Sequence, residues 1–185
     1  MKMKFLVAAA VAGLVVVASE QARAQDPVRP ALPVDRPWRV KLGAFFPTNG
    51  DLTDVFGKTF FSYGASYDFG KTTAVNPIVY SGYFDGTTRS RSGARITYYS
   101  LGAQGRYYFN PVVDPVRTYA GGGLGIYLLN STGSGDTDND FRLGGKLLGG
   151  LEFNNGFFAE ADYTLIGSVR GTTPNGFNVA LGYRF

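Results

Sequence analysis

Gly176-Phe177-Asn178-Val179-Ala180-Leu181-Gly182-Tyr183-Arg184-Phe185 closes the chain and alternates without a break. Successive side chains of an extended strand point to opposite faces. Phe177, Val179, Leu181, Tyr183 and Phe185 therefore share a wholly apolar face, and Asn178, Ala180, Gly182 and Arg184 share a polar or small one. A strand of this kind needs an apolar medium on one side and a polar or tightly packed space on the other.

The same rule, carried towards the N-terminus, predicts eight strands, at about 38–46, 60–69, 77–85, 96–109, 116–129, 141–153, 157–166 and 176–185. Their apolar faces read, for example, Trp38, Val40, Leu42, Ala44, Phe46 in the first strand and Phe141, Leu143, Gly145, Leu147, Gly149, Leu151, Phe153 in the sixth. No charge falls on that face in any strand. The opposite face collects Arg39, Lys41, Asp68, Asp85, Arg106, Arg117, Arg142, Lys146, Glu152, Glu160, Asp162 and Arg184. Arg39 with Lys41, Arg142 with Lys146 and Glu152, and Glu160 with Asp162 each fall on one parity, which fixes the register independently of the apolar residues. With 26 glycines and 15% aromatic residues, the composition suits many strands and tight turns.

The first residues give the chain an address. Lys2 and Lys4 precede an apolar run from Phe5 to Ala18, and Ala22-Arg23-Ala24 offers a small-x-small cleavage site. That order is a secretory signal peptide over 1–24. Residues 25–37 carry four prolines and read as an extended periplasmic leader, leaving 38–185 as the barrel. Removing the signal leaves 18 − 3 basic against 14 − 1 acidic side chains, a net charge of +2, so the basic isoelectric point does not argue for nucleic acid. There is no cysteine, so neither a disulfide nor a lipidated N-terminal cysteine is available.

Alternation alone does not say which face points inward. A soluble periplasmic barrel of the lipocalin kind would hide the apolar face; a membrane barrel would turn it to lipid and keep a polar lumen. Three features favour the membrane: glycine and serine crowd the polar face, aromatics cluster at both ends of the apolar face, and the connections alternate in length. The long ones, 47–59, 86–95, 130–140 and 167–175, fall on one side. The short ones, Gly70 to Asn76, Asn110 to Pro115 and Asn154-Asn155-Gly156, fall on the other. An even strand number closes the sheet, which lipid requires because it cannot satisfy unpaired backbone groups.

The expected fold is therefore all-β, an eight-stranded antiparallel up-and-down transmembrane β-barrel. On these residues the chain resembles the small bacterial outer-membrane barrels of the OmpA transmembrane domain and OmpX type. The terminal Tyr183-Arg184-Phe185 looks like their insertion signal, with Tyr183 and Phe185 read by the barrel-insertion machinery. The resemblance implies an outer-membrane location, a monomer, and lipid and lipopolysaccharide as its surroundings. It implies a structural, envelope-integrity or surface-interaction role through the outer loops. A narrow channel, or a lateral path for hydrophobic solutes as in OmpW-type barrels, is the other reading.

Chemistry is constrained by what is missing. Outer-membrane hydrolases of the resembling families use a histidine base, and this chain has no histidine. No enzyme, metal or cofactor is expected. Gly121-Gly122-Gly123-Leu124-Gly125 lies inside a predicted strand and reads as lumen packing, not as a phosphate loop. Asp136-Thr137-Asp138-Asn139-Asp140 starts with calcium-loop spacing, but Phe141 and Leu147 stand where that loop needs glycine and glutamate. An eight-stranded barrel is just wide enough for side chains to fill. Arg39, Lys41, Arg106, Arg117, Arg142, Lys146 and Arg184 should then pair with Glu152, Glu160 and Asp162 across the lumen. Arg89, Arg91 and Arg95, in the second outer connection, are candidates for lipopolysaccharide phosphates.

Overall fold

The computed structural model describes residues 36–70, 76–91, 93–109, 115–133, 136–167 and 173–185. The signal peptide, most of the leader, and much of the connections at 70–76, 110–115 and 167–175 lie outside the described residues. Eight strands are present: β1 (Trp38–Pro47), β2 (Phe60–Asp68), β3 (Ile78–Arg91), β4 (Ala94–Tyr108), β5 (Val116–Gly133), β6 (Asp136–Phe153), β7 (Phe157–Ile166) and β8 (Gly176–Arg184). Each pairs antiparallel with its neighbours in sequence, and β8 returns to β1, so the sheet is a closed barrel. The closing seam runs from Pro47 opposite Gly176 down to Arg39 opposite Arg184. Its last rung joins Trp38 and Phe185, whose backbone amides each donate to the other's carbonyl, at 3.1 and 2.9 Å. The final aromatic of the chain thus completes the ladder.

The inversion left open by alternation is settled by which face is exposed. Leu124, Leu143, Leu101 and Leu181 are 76%, 78%, 67% and 70% exposed, and the rest of the sequence-derived apolar face follows them outward. Arg39, Arg106, Glu152 and Glu160 are all buried inside. A soluble lipocalin-like binder requires the reverse arrangement, so that reading falls. Aromatic rings edge the outer wall at both ends. Trp38, Tyr67, Phe69, Tyr107 and Phe109 pack in pairs at the end carrying the termini, and Phe61, Tyr63, Phe84 and Tyr99 at the other.

Two boundaries differ from the sequence reading. The connections expected at 86–95 and 130–140 are mostly strand. β3 pairs with β4 up to Arg91 opposite Ala94, and β5 with β6 up to Gly133 opposite Asp136. Polar residues do not end a strand that has left the membrane, because water tolerates them on both faces; the turn comes only at Gly93, whose φ of 82° favours glycine. The first outer connection holds a helix, α1 (Gly50–Phe56), that was not foreseen. It closes with Gly57 at φ 91° donating to the Thr53 carbonyl, a C-terminal glycine cap. The inner turn at Asn155-Gly156 is as expected, with Gly156 at φ 96°.

A lipid-facing outer wall makes a specific prediction. Leu124→Arg, near the middle of β5, should cost about 2–4 kcal/mol of folding stability in a bilayer. Urea titration of the liposome-inserted variant measures this; on a wall facing water the substitution would be close to neutral.

Candidate functional site

The interior is built by the inward residues of all eight strands, and it is filled. Glu152, near the periplasmic end of β6, is the hub. Arg39 of β1 and Arg117 of β5 both pair with it closely, Arg184 of β8 reaches it at 2.9 Å, and the Tyr108 hydroxyl donates to it at 3.0 Å. Arg184 also reaches Asp68 at 3.3 Å, and Asp68 pairs with the fully buried Arg106, which donates to Ser81 at 2.9 Å. From the hub, Arg39 donates to the Tyr119 hydroxyl at 2.9 Å, and Tyr119 donates in turn to Glu160 at 2.9 Å.

Glu160 opens a second cluster halfway up the barrel. Lys41 sits among three carboxylates, 2.9 Å from Glu160, 3.2 Å from Asp85 and 3.5 Å from Asp162. Lys146 pairs with Asp85 at 2.7 Å, with its ammonium 3.6 Å from the centre of the Tyr83 ring. Asn178 donates to Asp162 at 2.9 Å, and Ser62 donates to Asn178 at 2.6 Å. One chain of ion pairs and hydrogen bonds thus links Arg106 at the periplasmic end to Ser62 beyond mid-height. Buried charge is costly unless paired, and here nearly equal numbers of both signs neutralise one another.

The polar ladder fits because large inner side chains face glycines. A Cβ on Gly150 would fall 2.5 Å from the Tyr119 hydroxyl, and one on Gly125 would fall 2.5 Å from the Tyr83 hydroxyl. Arg39 also lies over the Phe158 ring, 3.9 Å from its centre. What space remains is small. One cavity of about 40 Å³ lies towards the outer end, lined by Tyr98, Tyr127, Asp85, Ser100 and Asp162 among others, and another of about 10 Å³ lies beside Lys41. Such volumes hold a few water molecules.

Above the polar ladder the character changes. Phe45, Phe60, Ile96 and Tyr98 point inward at the outer end and bury Leu52 and Phe56 of α1. Leu52 and Phe56 are four residues apart and so share one face of the helix. Arg89 fastens the far end of α1, its Nε donating to the Phe56 carbonyl at 3.1 Å. The lumen therefore carries a charged lower part and an apolar stopper.

Most of the sequence-derived charges meet in this ladder: Arg39, Lys41, Arg106, Arg117, Lys146, Glu152, Glu160, Asp162 and Arg184. Arg142 does not. It lies near the outer end of β6, about a third exposed, paired at 2.7 Å with Asp140 on its own strand. Its parity is right, but β6 has risen past the enclosed lumen at that height. Asp68 and Asp85 join the ladder although the reading of pairs left them out. The buried tyrosines Tyr108 and Tyr119 were missed as network members; their place on the charged parity was the available signal. The three outer arginines separate. Arg89 and Arg91 share the lumen parity beside α1, whereas Arg95 takes the outward parity. Tyr183 lies on the outer wall against Phe157, 5.1 Å between ring centres, and Phe185 is exposed at the periplasmic rim.

With the architecture in view, the comparisons agree on its class. Residues 8–185 match the family described as outer membrane protein beta-barrel domain, and the chain belongs to it. It is an outer-membrane β-barrel. No curated protein matches the chain significantly. Among solved structures, Neisserial surface protein A is similar with a TM-score of 0.61 at 15% identity, over 80% of this chain and 96% of that one. The outer membrane enzyme PagL is similar at 0.53 and 18% identity, over 80% and 98%. The attachment invasion locus protein Ail of Yersinia pestis follows at 0.46 and 18%, over 82% and 99%. At these identities the likeness concerns the fold.

Removing the hub should leave three guanidiniums buried without their shared partner. Glu152→Gln is expected to lower stability by about 3–5 kcal/mol. Arg142→Ala, at a partly exposed pair, should cost under about 1 kcal/mol. Heat-shifted gel mobility and urea unfolding in detergent measure both.

Proposed function

We propose that this protein is a closed, non-enzymatic barrel that acts as a rigid element of the outer membrane and presents its outer segments for surface interaction or envelope integrity. One observation carries the reading: the lumen is occupied from its periplasmic end to its outer mouth, first by the ion-pair ladder and then by α1. Nothing in the ladder resembles a reactive site. Each carboxylate faces cations, no histidine exists in the chain to serve as a base, and no cysteine exists to serve as a nucleophile. PagL, an enzyme of the same fold, is matched at 18% identity, and that likeness does not bring its activity here.

A conduit would need a continuous wet path. Between the cavities of about 40 and 10 Å³ stand Lys41 and its three carboxylates, held from three strands, β1, β3 and β7. Opening that crossing would separate buried charges in a medium that solvates them poorly, which disfavours it strongly. The function then lies on the outer surface.

Single-channel recording in a planar bilayer tests the reading, with insertion verified on the same sample by heat-shifted mobility. Stable insertion without discrete steps is expected for the wild type and for a variant lacking the stopper, Leu52→Ser/Phe56→Ser, because the ladder below remains intact. Reproducible steps in the wild type would overturn the closed barrel and make Lys41 and Lys146 its selectivity elements.

A further inference from the structure

The charges of the lumen do not balance at every height. In the upper cluster three carboxylates, Asp85, Glu160 and Asp162, meet two ammoniums, Lys41 and Lys146. Arg39 does not make up the difference. It is bound closely to Glu152 below and reaches Glu160 only at 3.9 Å. The cluster therefore carries one carboxylate more than its cations neutralise. A buried charge left in that state is costly, so one further positive charge is favoured there.

The cavity of about 40 Å³ is where such a charge fits. Asp85 and Asp162 both line it, whereas no lysine or arginine does. Its other polar walls come from neutral side chains, Ser100, Thr164 and Tyr127 among them, and the Asn178 amide nitrogen is already turned to Asp162. Two of its oxygens are unsatisfied. Tyr98 is only 5% exposed, and its hydroxyl has no hydrogen-bond partner among the described residues. Asp85 Oδ1 takes part in no hydrogen bond, although Lys41 Nζ lies 3.2 Å from it. The Tyr98 ring is held in place, stacked on Phe60 at 6.2 Å and edge-on to Phe45 at 6.4 Å between centres.

Carboxylate and hydroxyl oxygens are the ligands that hard cations take. A single excess charge and two carboxylates suit a monovalent ion. Among the described residues no three acidic, histidine or cysteine side chains gather as they would for a multivalent metal. At about 10–15 Å³ for each water-sized occupant, the cavity has room for an ion and a water or two.

We propose that this cavity binds a small monovalent cation, of the size of sodium, through Asp85, Asp162 and the Tyr98 hydroxyl. The stopper roofs the site, because Phe45 and Tyr98 line the cavity and also pack in the cluster that buries Leu52 and Phe56. The site is defined by the cavity and its charge and does not depend on a closed lumen. Channel recording tests the closed barrel, and cation-dependent stability tests the ion.

Urea unfolding of the full protein in octyl glucoside micelles, at neutral pH and constant ionic strength, is the experiment, with tetraethylammonium chloride exchanged stepwise for sodium chloride. Tetraethylammonium is too bulky for the cavity but screens surface charge equally. The wild-type midpoint should rise with sodium, as binding to the folded state alone requires. Asp162→Asn, which removes the excess charge, should abolish the rise. Tyr98→Phe removes a hydroxyl that has no protein partner, so a purely structural role predicts a midpoint unchanged or raised in both salts. A role as cation ligand predicts instead that half of the rise needs about tenfold more sodium, the loss of one polar contact. Arg142→Ala, outside the cavity, should respond as the wild type does. If Asp162→Asn does not fold, Tyr98→Phe decides alone. A wild-type midpoint equal in the two salts, or an undiminished sodium response in either cavity variant, would overturn the site. A midpoint that rises on acidification and not with sodium would assign the missing charge to a proton and overturn it as well.

Discussion

Lipid offers no hydrogen-bond partner, and the rest of the structure follows from that constraint. A sheet crossing a bilayer cannot leave an edge, because each unpaired backbone group in hydrocarbon costs several kcal/mol, about the magnitude of a hydrogen bond in an apolar medium. The seam between β1 and β8, completed by the mutual bonds of Trp38 and Phe185, removes the edge. Closure then divides every strand into two environments. Side chains of one parity meet acyl chains, and those of the other are confined with one another.

Confinement explains the composition of the interior. Eleven strand charges, all those at the height of the enclosed lumen, have nowhere to go but inward, and a barrel of eight strands is too narrow to hydrate them freely. They are stable only by meeting opposite charge at hydrogen-bonding distance, which is why one carboxylate, Glu152, serves three arginines and one ammonium, Lys41, serves three carboxylates. Tyrosines extend the chain where two charges are too far apart to touch: Tyr119 carries the link from Arg39 to Glu160. Glycine is the steric counterpart. Without the space left by Gly150 and Gly125, the rings of Tyr119 and Tyr83 could not lie across the lumen.

Where this was legible in the sequence, the reason is period two. Alternation with charges locked to one parity identifies strands and face, and it puts Arg39 and Arg184 together on the inner face, where the seam sets them opposite one another. It fails where the period loses its physical cause. Beyond the membrane β3 to β6 continue through polar residues, since neither face is then constrained, and the predicted loops were strand. Arg142 has lumen parity at a height where the lumen is no longer closed, and parity does not report height. The stopper escaped for a different reason. Phe45, Phe60, Ile96 and Tyr98 are apolar residues on the polar parity, visible only as exceptions, and α1 is too short for a period to show. Leu52 and Phe56 four apart, followed by Gly57, are the trace it left.

The pairing of charge also says where recognition can occur. A guanidinium already held by a carboxylate has little to offer a ligand, because binding would first have to break that pair. By this measure the cations of the lumen are spent, and those at the outer ends of β2, β3 and β4 are not. Lys58, Arg91 and Arg95 are exposed there, and among the described residues none has a carboxylate partner. They divide by parity and position: Arg91 beside α1 above the mouth, where an anion would arrive from solution, and Arg95 on the outer wall, where it would arrive through the leaflet. A single hairpin therefore addresses two media, and its alternation assigns each arginine to one of them. The rule that sorts lipid from lumen within the bilayer sorts membrane partner from soluble partner above it.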